Sequence, residues 1–279
     1  MKNSIYPCLW FDGNANEAAE FYVSVLKDSE ITDQNQFVTL FESSGQRFMC
    51  LNGGPEFSFN PSISFSIACE TEAEVDQTWK SLVKDGSVLM PLDKYEWSSK
   101  YGWLQDRFGV SWQVSLNKME DAVPKFTPSL LFTGPQSGNA EQAIQFYTSV
   151  FDNSGITMIS RYTREDNDTE GYIKYSLFKL NDQIFSAMDS SLLHQFGFNP
   201  AVSFVVDCET QDEIDYFWNK LSEGGHQDRC GWLQDQFGVS WQVVPSILEK
   251  LIKDPERSQR VIDAFMQMKK FEIDKLVSA

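Results

Sequence analysis

Two spacings of apolar residues follow one another along the chain. Residues 62–68 alternate strictly between polar and apolar side chains, which predicts a β-strand with one buried face. Residues 72–84 then carry apolar side chains at helical spacing, with Val75, Trp79 and Leu82 on one face. The pattern therefore predicts a strand followed by an amphipathic helix.

The same order opens the chain. An apolar run at residues 7–11 predicts a strand, and turn-forming residues follow it directly. Asn14 or Asn16 is expected to cap the helix that comes next. Further strands are expected at residues 37–41 and 48–51. The first fifty residues therefore predict one unit of strand, helix and further strands.

A hairpin is expected to close the second such unit. Residues 102–105 and 110–114 have the composition of strands, and a short connection joins them. Asp106 and Gly109 stand at the two ends of that connection, where hairpins commonly use these residue types. Two βαβββ units in series therefore account for the chain up to this point.

An internal repeat extends this organisation to the rest of the chain. Residues 102–114 recur at 231–243 and differ only at Arg107 and Gln236. The Asn-Ala start and Phe-Tyr end of residues 14–22 recur at 139–147. A match of this length indicates tandem duplication, so we expect four βαβββ units.

The repeat defines four predicted segments. A first domain is expected at residues 1–116, a linker at 117–126, a second domain at 127–245 and a helical tail at 246–279. The linker is polar and includes Lys118, Glu120 and Asp121. In the tail, Ser246 is expected to cap a short helix through Ile252, and Asp254 and Pro255 are expected to start a longer one that buries Val261, Ile262, Phe265 and Met268.

Composition excludes several classes of partner. The formal net charge of −17 argues against nucleic acid and anionic membranes, because both require clustered Lys and Arg. The chain has no long apolar run, and its first residues lack the apolar stretch of a signal peptide. Its five cysteines form no CxxC pair. These features favour an acidic cytoplasmic protein with buried free thiols.

Several motifs together resemble a known superfamily. They are residues 9–13, 52–55, 230–235 and 240–245, together with the paired Phe-Tyr helices. The chain resembles the vicinal oxygen chelate (glyoxalase/bleomycin-resistance/dioxygenase) superfamily, and more closely its PhnB-like branch, often labelled 3-demethylubiquinone-9 3-methyltransferase-like. The resemblance implies an α+β fold in which four βαβββ units form two glyoxalase-like domains, with each pair of units curled into a cup.

The resemblance also implies where a metal would bind. In the superfamily, His or Gln and Glu from the first and closing strands hold a divalent ion. The closing-strand glutamate corresponds here to Gln113 and Gln242, and the first-strand histidine falls near Pro7 and Pro128. Because proline has no ligating side chain and the chain has only two histidines, we expect neither a metal nor another cofactor.

Two further chemistries lack their usual residues. A site for S-adenosylmethionine needs a glycine-rich turn that opens onto a helix, and the turn at residues 52–55 ends in Pro55. Cys69 and Cys208 recur at equivalent positions, but no histidine accompanies both. Buried thiols are therefore expected at these positions rather than nucleophiles.

The closing strands supply the candidate binding residues. If Gln113 faces the cup, alternation places Ser111 on the same face and Trp112 behind the sheet. On the preceding strand, Trp103 and Gln105 share a face. A cup lined by amides and indoles suits a neutral or weakly polar planar ligand. The candidate set from both repeats is Trp103, Gln105, Ser111, Gln113, Trp232, Gln234, Ser240 and Gln242.

Three functions follow as alternatives. The first is a small-molecule binding protein without turnover. The second is a metal-dependent lyase, isomerase or dioxygenase with atypical ligands such as Gln113 or Gln242, assisted by Glu70 or Asp106. The third is a scaffold in which the two repeats form a pseudo-dimer across a large apolar interface. The chain's own assembly into a homo-oligomer stays open.

Overall fold

The computed structural model describes residues 4–117 and 124–279. The first repeat contains β1 (Ile5–Phe11), α1 (Ala15–Val25), β2 (Ser29–Gln34), β3 (Val38–Ser43), β4 (Gln46–Asn52), β5 (Ile63–Cys69), α2 (Glu72–Leu82), β6 (Ser87–Tyr95), β7 (Ser98–Gln105) and β8 (Ser111–Leu116). The second contains β9 (Phe126–Phe132), α3 (Ala140–Val150), β10 (Gly155–Arg161), β11 (Ile173–Leu180), β12 (Gln183–Asp189), β13 (Val202–Cys208), α4 (Gln211–Leu221), β14 (His226–Gln227), β15 (Trp232–Gln234) and β16 (Ser240–Pro245). The four predicted βαβββ units are confirmed. Units 1 to 4 begin at β1, β5, β9 and β13.

The units pair across the repeats. Sheet A has the order β14-β15-β16-β13-β1-β4-β3-β2, so it joins unit 1 to unit 4. Sheet B has the order β10-β11-β12-β9-β5-β8-β7-β6, so it joins unit 3 to unit 2. In sheet A, β1 runs antiparallel to β13 with Tyr6 opposite Val205. In sheet B, β5 runs antiparallel to β9 with Ser64 opposite Ser129.

The sheets therefore divide the chain differently from the sequence repeats. The ranges 1–116 and 127–245 each contribute half of sheet A and half of sheet B. The physical reason is that β1 and β13 complete each other's hydrogen bonding, as do β5 and β9. Of the expected linker, residues 118–123 with Lys118, Glu120 and Asp121 lie outside the described residues. Strand β9 already begins at Phe126.

One apolar core joins the two sheets. Phe48 of sheet A packs edge-on against Phe65 of sheet B, with ring centroids 5.7 Å apart. Tyr22 of helix α1 packs against Trp112 of sheet B at 5.4 Å. Trp112 and its counterpart Trp241 are almost fully buried behind their sheets, as strand alternation predicted. Each repeat thus holds its own two units together through this core, while its strands pair with the other repeat.

The face of each sheet that points away from the core is concave. Trp10 on β1 and Trp232 on β15 lie three strands apart, which in a flat sheet is about 14 Å. Their ring centroids are only 5.6 Å apart. In sheet B, Tyr101 on β7 lies five strands from Tyr175 on β11, about 24 Å if flat. Burial raises the pKa of Tyr101, and the Tyr175 hydroxyl on the opposite side of the cup adds to the rise.

The two curled faces are called cup A and cup B. Cup A is the face of sheet A that carries Tyr6, Cys8, Ser203, Ser240 and Gln242. Cup B is the face of sheet B that carries Ser64, Ser111, Gln113, Thr127 and Ser129.

The helix caps differ from the expected ones. Asn14 occupies the N-cap position of α1, but its side chain makes no capping hydrogen bond. The side chain of Asn52, at the end of β4, instead accepts a hydrogen bond from the Ala15 amide at 2.8 Å. In the second repeat, the Asp189 carboxylate accepts from the Ala140 amide at 3.1 Å. Helices α1 and α3 are therefore each capped by a residue from the end of a later strand, β4 or β12.

The tail is helical, but it differs from the prediction in detail. Ser246 makes no side-chain capping hydrogen bond to the first helix, the second helix begins at Ser258, and Ile262 and Phe265 are only half-buried. Helix α5 spans Ile247–Lys253, α6 spans Ser258–Phe265 and α7 spans Ile273–Ser278. Helix α6 ends before Met268, which is buried in the turn that follows. The Met268 carbonyl accepts from the Cys230 amide at 2.9 Å, so the tail packs on unit 4. Among the described residues no helix is long and apolar enough to cross a membrane.

Candidate functional site

The aspartate of the repeated motif is buried in the core. Asp106 accepts hydrogen bonds from the Phe108 and Val110 amides at 2.8 and 3.0 Å, which fix the hairpin between β7 and β8. Its carboxylate also accepts from Trp112 Nε1 at 2.8 Å and from the Tyr22 hydroxyl at 2.9 Å. Asp106 therefore ties the hairpin to helix α1 and cannot join Gln113 as a metal ligand.

The second repeat contains the same network. Asp235 accepts from the Tyr147 hydroxyl at 2.7 Å and from Trp241 Nε1 at 2.9 Å. Burial raises the pKa of Asp235 to about 6, although these hydrogen bonds and two from backbone amides oppose the rise. The sequence interpretation missed this role. The paired Phe-Tyr helix and Gly-Trp-Leu-Gln-Asp strand, both repeated, were the available signal.

A row of serines crosses the floor of cup B. Ser186, Ser129, Ser64 and Ser111 lie in register on four adjacent strands, β12, β9, β5 and β8. None of them is more than 3% exposed. Gln105 continues the row on β7. Because strand alternation points these hydroxyls away from the core, they form a continuous polar floor.

Gln113 lies at the centre of the hydrogen bonding in cup B. Its Nε2 donates to Ser64 Oγ at 2.8 Å, and its Oε1 accepts from the Tyr101 hydroxyl at 2.8 Å. Trp103 Nε1 donates to Ser111 Oγ at 2.8 Å. Since its pKa is raised, the Tyr101 phenol stays protonated and can serve as the donor that fixes the Gln113 amide.

Cup A has the same hydrogen bond between glutamine and serine, but different residues on β1 and β4. Gln242 Nε2 donates to Ser203 Oγ at 3.0 Å, which matches the bond from Gln113 to Ser64. On β1 and β4, however, the residues that face the cup are mostly larger or less polar than their counterparts in cup B. They are Tyr6, Cys8, Trp10 and Met49, where cup B has Thr127, Ser129, Leu131 and Ser186.

The candidate residues from the sequence divide between the two cups. Trp103, Ser111 and Gln113 meet in cup B, and Trp232, Ser240 and Gln242 lie on the corresponding face of cup A. Gln105 and Gln234 share those faces, but the Gln105 side chain donates to the Gly109 carbonyl at 2.9 Å. Their contact with a ligand stays a prediction.

Several polar residues of cup B were missed by the sequence interpretation. Ser64 and Ser66 stand at alternate positions of the predicted strand at 62–68, which was a signal for a polar face. Ser129 had no such signal, because its neighbour Ser64 across the sheet comes from the other repeat. Tyr101 and Ser186 were missed as well.

The donor groups in the cups do not suit a divalent metal. The residues that define the two cup floors carry hydroxyl, amide, thiol and phenol groups. The Asp207 carboxylate also lies on the face of cup A, but it accepts from the Tyr6 hydroxyl at 3.5 Å and pairs with Arg47 at 3.8 Å. Glu70 is exposed at the end of β5, and Asp106 faces the core. Within residues 4–117 and 124–279, no group of three or more His, Cys, Asp and Glu side chains could hold an ion. Pro7 pairs with Phe204 on the core-facing side.

The recurring cysteines are also poor nucleophiles. Cys69 and Cys208 are fully buried at the ends of β5 and β13. Burial raises the pKa of Cys69 to about 11 and raises the pKa of Cys208 further. Both therefore remain neutral thiols at physiological pH.

Comparison with known proteins agrees with this architecture. The family model described as 3-demethylubiquinone-9 3-methyltransferase matches residues 3–115 and 124–244, once for each repeat. A PhnB protein from Bacillus cereus is 38% identical and covers 40% of this chain and 98% of its own, with a TM-score of 0.38. Glyoxalase I from Zea mays is 13% identical and covers 91% of this chain and 97% of its own, with a TM-score of 0.57, which shows a shared fold. No curated protein matches the chain.

Proposed function

Because the chain belongs to the 3-demethylubiquinone-9 3-methyltransferase family and has a tandem glyoxalase-like fold, we propose that it binds an uncharged small molecule in cup B. The observation that carries the proposal is the buried, uncharged polar floor around Gln113, enclosed by aromatic side chains. Small-molecule sites commonly combine apolar walls with a few well-placed polar groups.

The chemistry of the floor favours a neutral ligand. Burial of a charge without a partner of opposite sign is strongly unfavourable, and the row of serines offers no such partner. Hydroxyl and amide groups can both donate and accept hydrogen bonds. After its bonds to Ser64 and Tyr101, the Gln113 amide retains one N–H donor and acceptor capacity for a ligand.

Aromatic walls favour a flat ligand. Trp103 and Tyr101 stand on β7 at one side of cup B, and Tyr175 stands on β11 at the other. Flat rings pack on indole and phenol groups through offset or edge contacts. A planar molecule with an amide or carbonyl group would therefore contact both the walls and the floor.

The alternative activities gain no support from the cups. Metal-dependent lyase, isomerase or dioxygenase chemistry needs ligands that the described side chains do not bring together. The methyltransferase activity in the family's description would need a turn that binds S-adenosylmethionine at the start of a helix, and the turn at residues 52–55 ends in Pro55 and leads into no helix.

A neutral probe and its anionic analogue test the proposal. Nicotinamide and nicotinate have nearly the same shape, and only nicotinate is charged at neutral pH. Each probe is titrated into the full chain while backbone amide chemical shifts are recorded. With nicotinamide, the resonances that move should belong to residues around Ser64, Ser111 and Gln113. Nicotinate should bind at least about tenfold more weakly, which corresponds to 1.4 kcal/mol.

Matched variants locate the site. Gln113→Leu should weaken nicotinamide binding, because the leucine side chain offers no hydrogen bond. Gln242→Leu makes the same change in cup A and should leave nicotinamide binding unchanged. Equal binding of the two probes, or shifts that avoid cup B, would show the proposal to be wrong.

A further inference from the structure

We propose that cup A is a second binding site of different chemistry, which takes a mainly apolar molecule with one hydrogen-bonding group. The inference rests on the proposed function of the fold as a small-molecule binder. It goes beyond that function, because it assigns separate ligand classes to the two cups of one chain.

The lining of cup A is mainly apolar. Tyr6, Cys8 and Val205 form a small buried cluster on this face, separate from the main core. Met49, Leu51 and Val244 pack against it. Burial raises the pKa of Cys8 to about 12, so its thiol is neutral and acts as a small apolar group. Apolar surface of this kind favours an apolar ligand over a polar one.

One polar group in cup A lacks a partner. Ser240 is 1% exposed, lies in register with Ser203 on the cup-facing side, and its Oγ makes no hydrogen bond among the described residues. Its counterpart in cup B, Ser111, accepts from Trp103 Nε1. A buried hydroxyl without a partner is unfavourable, and native proteins rarely retain one without a reason.

The position of Trp232 explains why Ser240 is unpaired. Trp232 corresponds to Trp103 but packs edge-on against Trp10, with centroids 5.6 Å apart. Cup B has Leu131 in place of Trp10, so Trp103 has no such indole to contact. A ligand group that hydrogen-bonds to Ser240 Oγ would take the role that Trp103 has in cup B.

Helix α5 closes one end of cup A. Arg47, on the cup-facing side of β4, forms an ion pair with Glu249 of α5 at 3.1 Å and stacks on the Tyr6 ring at 4.7 Å. Lys253 of α5 reaches Asp33 on β2 at 3.3 Å. The helix therefore extends from the end of β16 to the far edge of the same sheet.

Among its described residues, cup B has no counterpart of the contacts made by Tyr6 and Arg47. The positions of Tyr6 and Arg47 are held there by Thr127 and Ile184. Cup A thus combines an end closed by the charged groups of Arg47, Asp207 and Glu249, mainly apolar walls and one unpaired hydroxyl. Cup B combines a polar floor with paired hydroxyls. These differences assign an apolar ligand with a single polar group, such as a neutral aromatic alcohol, to cup A.

Two probes on the full chain test the inference. We use 2-naphthol, a neutral aromatic alcohol, for cup A and nicotinamide for cup B, and follow backbone amide chemical shifts. Resonances around Ser203 and Ser240 should move with 2-naphthol. Ser240→Ala should weaken 2-naphthol binding about threefold to tenfold, the usual effect of one neutral hydrogen bond. The same variant should leave nicotinamide binding unchanged.

Ser111→Ala is the matched control in cup B and should leave 2-naphthol binding unchanged. Three results would overturn the inference: 2-naphthol shifts confined to cup B, unchanged 2-naphthol affinity in Ser240→Ala, or no shifts up to the solubility limit of the probe. If nicotinamide fails to bind cup B while 2-naphthol behaves as expected, the function proposed for cup B fails and the inference about cup A stands.

Discussion

The Tyr22 hydroxyl donates a 2.9 Å hydrogen bond to the Asp106 carboxylate across the boundary between the two sheets. Tyr22 belongs to unit 1, whose strands lie in sheet A, and Asp106 follows β7 in sheet B. Both groups are buried. The contact therefore fixes the two units of one repeat against each other, and the second repeat reproduces it with Tyr147 and Asp235.

Removal of the phenol oxygen should destabilise the protein. Tyr22→Phe keeps the ring in the core and deletes one hydrogen bond to a carboxylate, so the free energy of unfolding should fall by about 1.5–3 kcal/mol. Urea denaturation measures the change. Tyr95→Phe is the control, because the Tyr95 hydroxyl donates to the Pro91 carbonyl at an exposed site. Equal stability of the two variants would contradict a special role for Tyr22.

Asp235 should give the protein a pH-dependent stability. Its pKa is raised to about 6 by burial, above the usual value of about 4. The folded protein therefore holds this proton between about pH 4 and pH 6, where the unfolded chain releases it. The stability is fully present below the unfolded pKa and is lost as the pH rises through the folded pKa, by on the order of 3 kcal/mol.

Comparison of the wild type with Asp235→Asn separates the pH-dependent stability due to Asp235 from that due to the other acidic groups. Denaturation of both proteins between pH 4 and 6.5 should show a smaller loss of stability with rising pH in the variant, whatever its absolute stability. Parallel curves for wild type and variant would mean that Asp235 ionises at the same pH in the folded and unfolded states.

Ser240 and Ser111 should respond oppositely to the same substitution. Ser240→Ala removes a buried hydroxyl without a partner and should raise the free energy of unfolding by about 1 kcal/mol. Ser111→Ala removes the acceptor of Trp103 and should lower it by a similar amount. Thermal unfolding of the unliganded proteins measures both effects. A loss of stability in both variants would show that the Ser240 hydroxyl is satisfied.

Helix α5 should depend on Arg47. Arg47→Met removes the ion pair with Glu249, and amide hydrogen exchange in residues 247–253 should then accelerate several-fold. Exchange in sheet B should stay the same. Arg164→Met serves as the control, since the pair of Arg164 with Glu170 is highly exposed and lies in the connection between β10 and β11 of sheet B. Unchanged exchange in α5 would mean that other contacts hold the helix.

The isolated first repeat should self-associate. Residues 1–122 contain β1 and β5, whose partners β13 and β9 belong to the second repeat. Two unpaired strand edges favour pairing with another chain. Light scattering of the fragment should therefore show a dimer or larger species, and a monodisperse soluble monomer would contradict the pairing across repeats.

The sequence predicted the local structure well, because that information lies in local spacing. Alternation placed Gln113 towards the cup and Trp112 behind the sheet, and the repeat gave four βαβββ units. The positions of strands β2, β6 and β10 were not predicted. They lie at or near sheet edges and are exposed along much of both faces, so they show no clear alternation.

The sequence could not show which units share a sheet. Identical motifs in both repeats are compatible with pairing within or across repeats, and the choice depends on contacts such as Tyr6 opposite Val205. The polarity of each cup depends on that choice, because Ser129 lines the same floor as Ser64 only when units 2 and 3 pair. The difference between the cups was therefore hidden from any interpretation of one repeat at a time.

Because each sheet joins one unit from each repeat, the two sheets are completed at different times during synthesis on the ribosome. Sheet B is complete once residue 189 has been synthesised, because its last strand in the chain is β12. Sheet A must wait for β16, which ends at Pro245, although its strand β1 precedes every strand of sheet B in the chain. Until β13 emerges, the edge of β1 is open to pairing with other chains. The nascent chain is thus most exposed to misassembly in the interval when cup B can already form and cup A cannot.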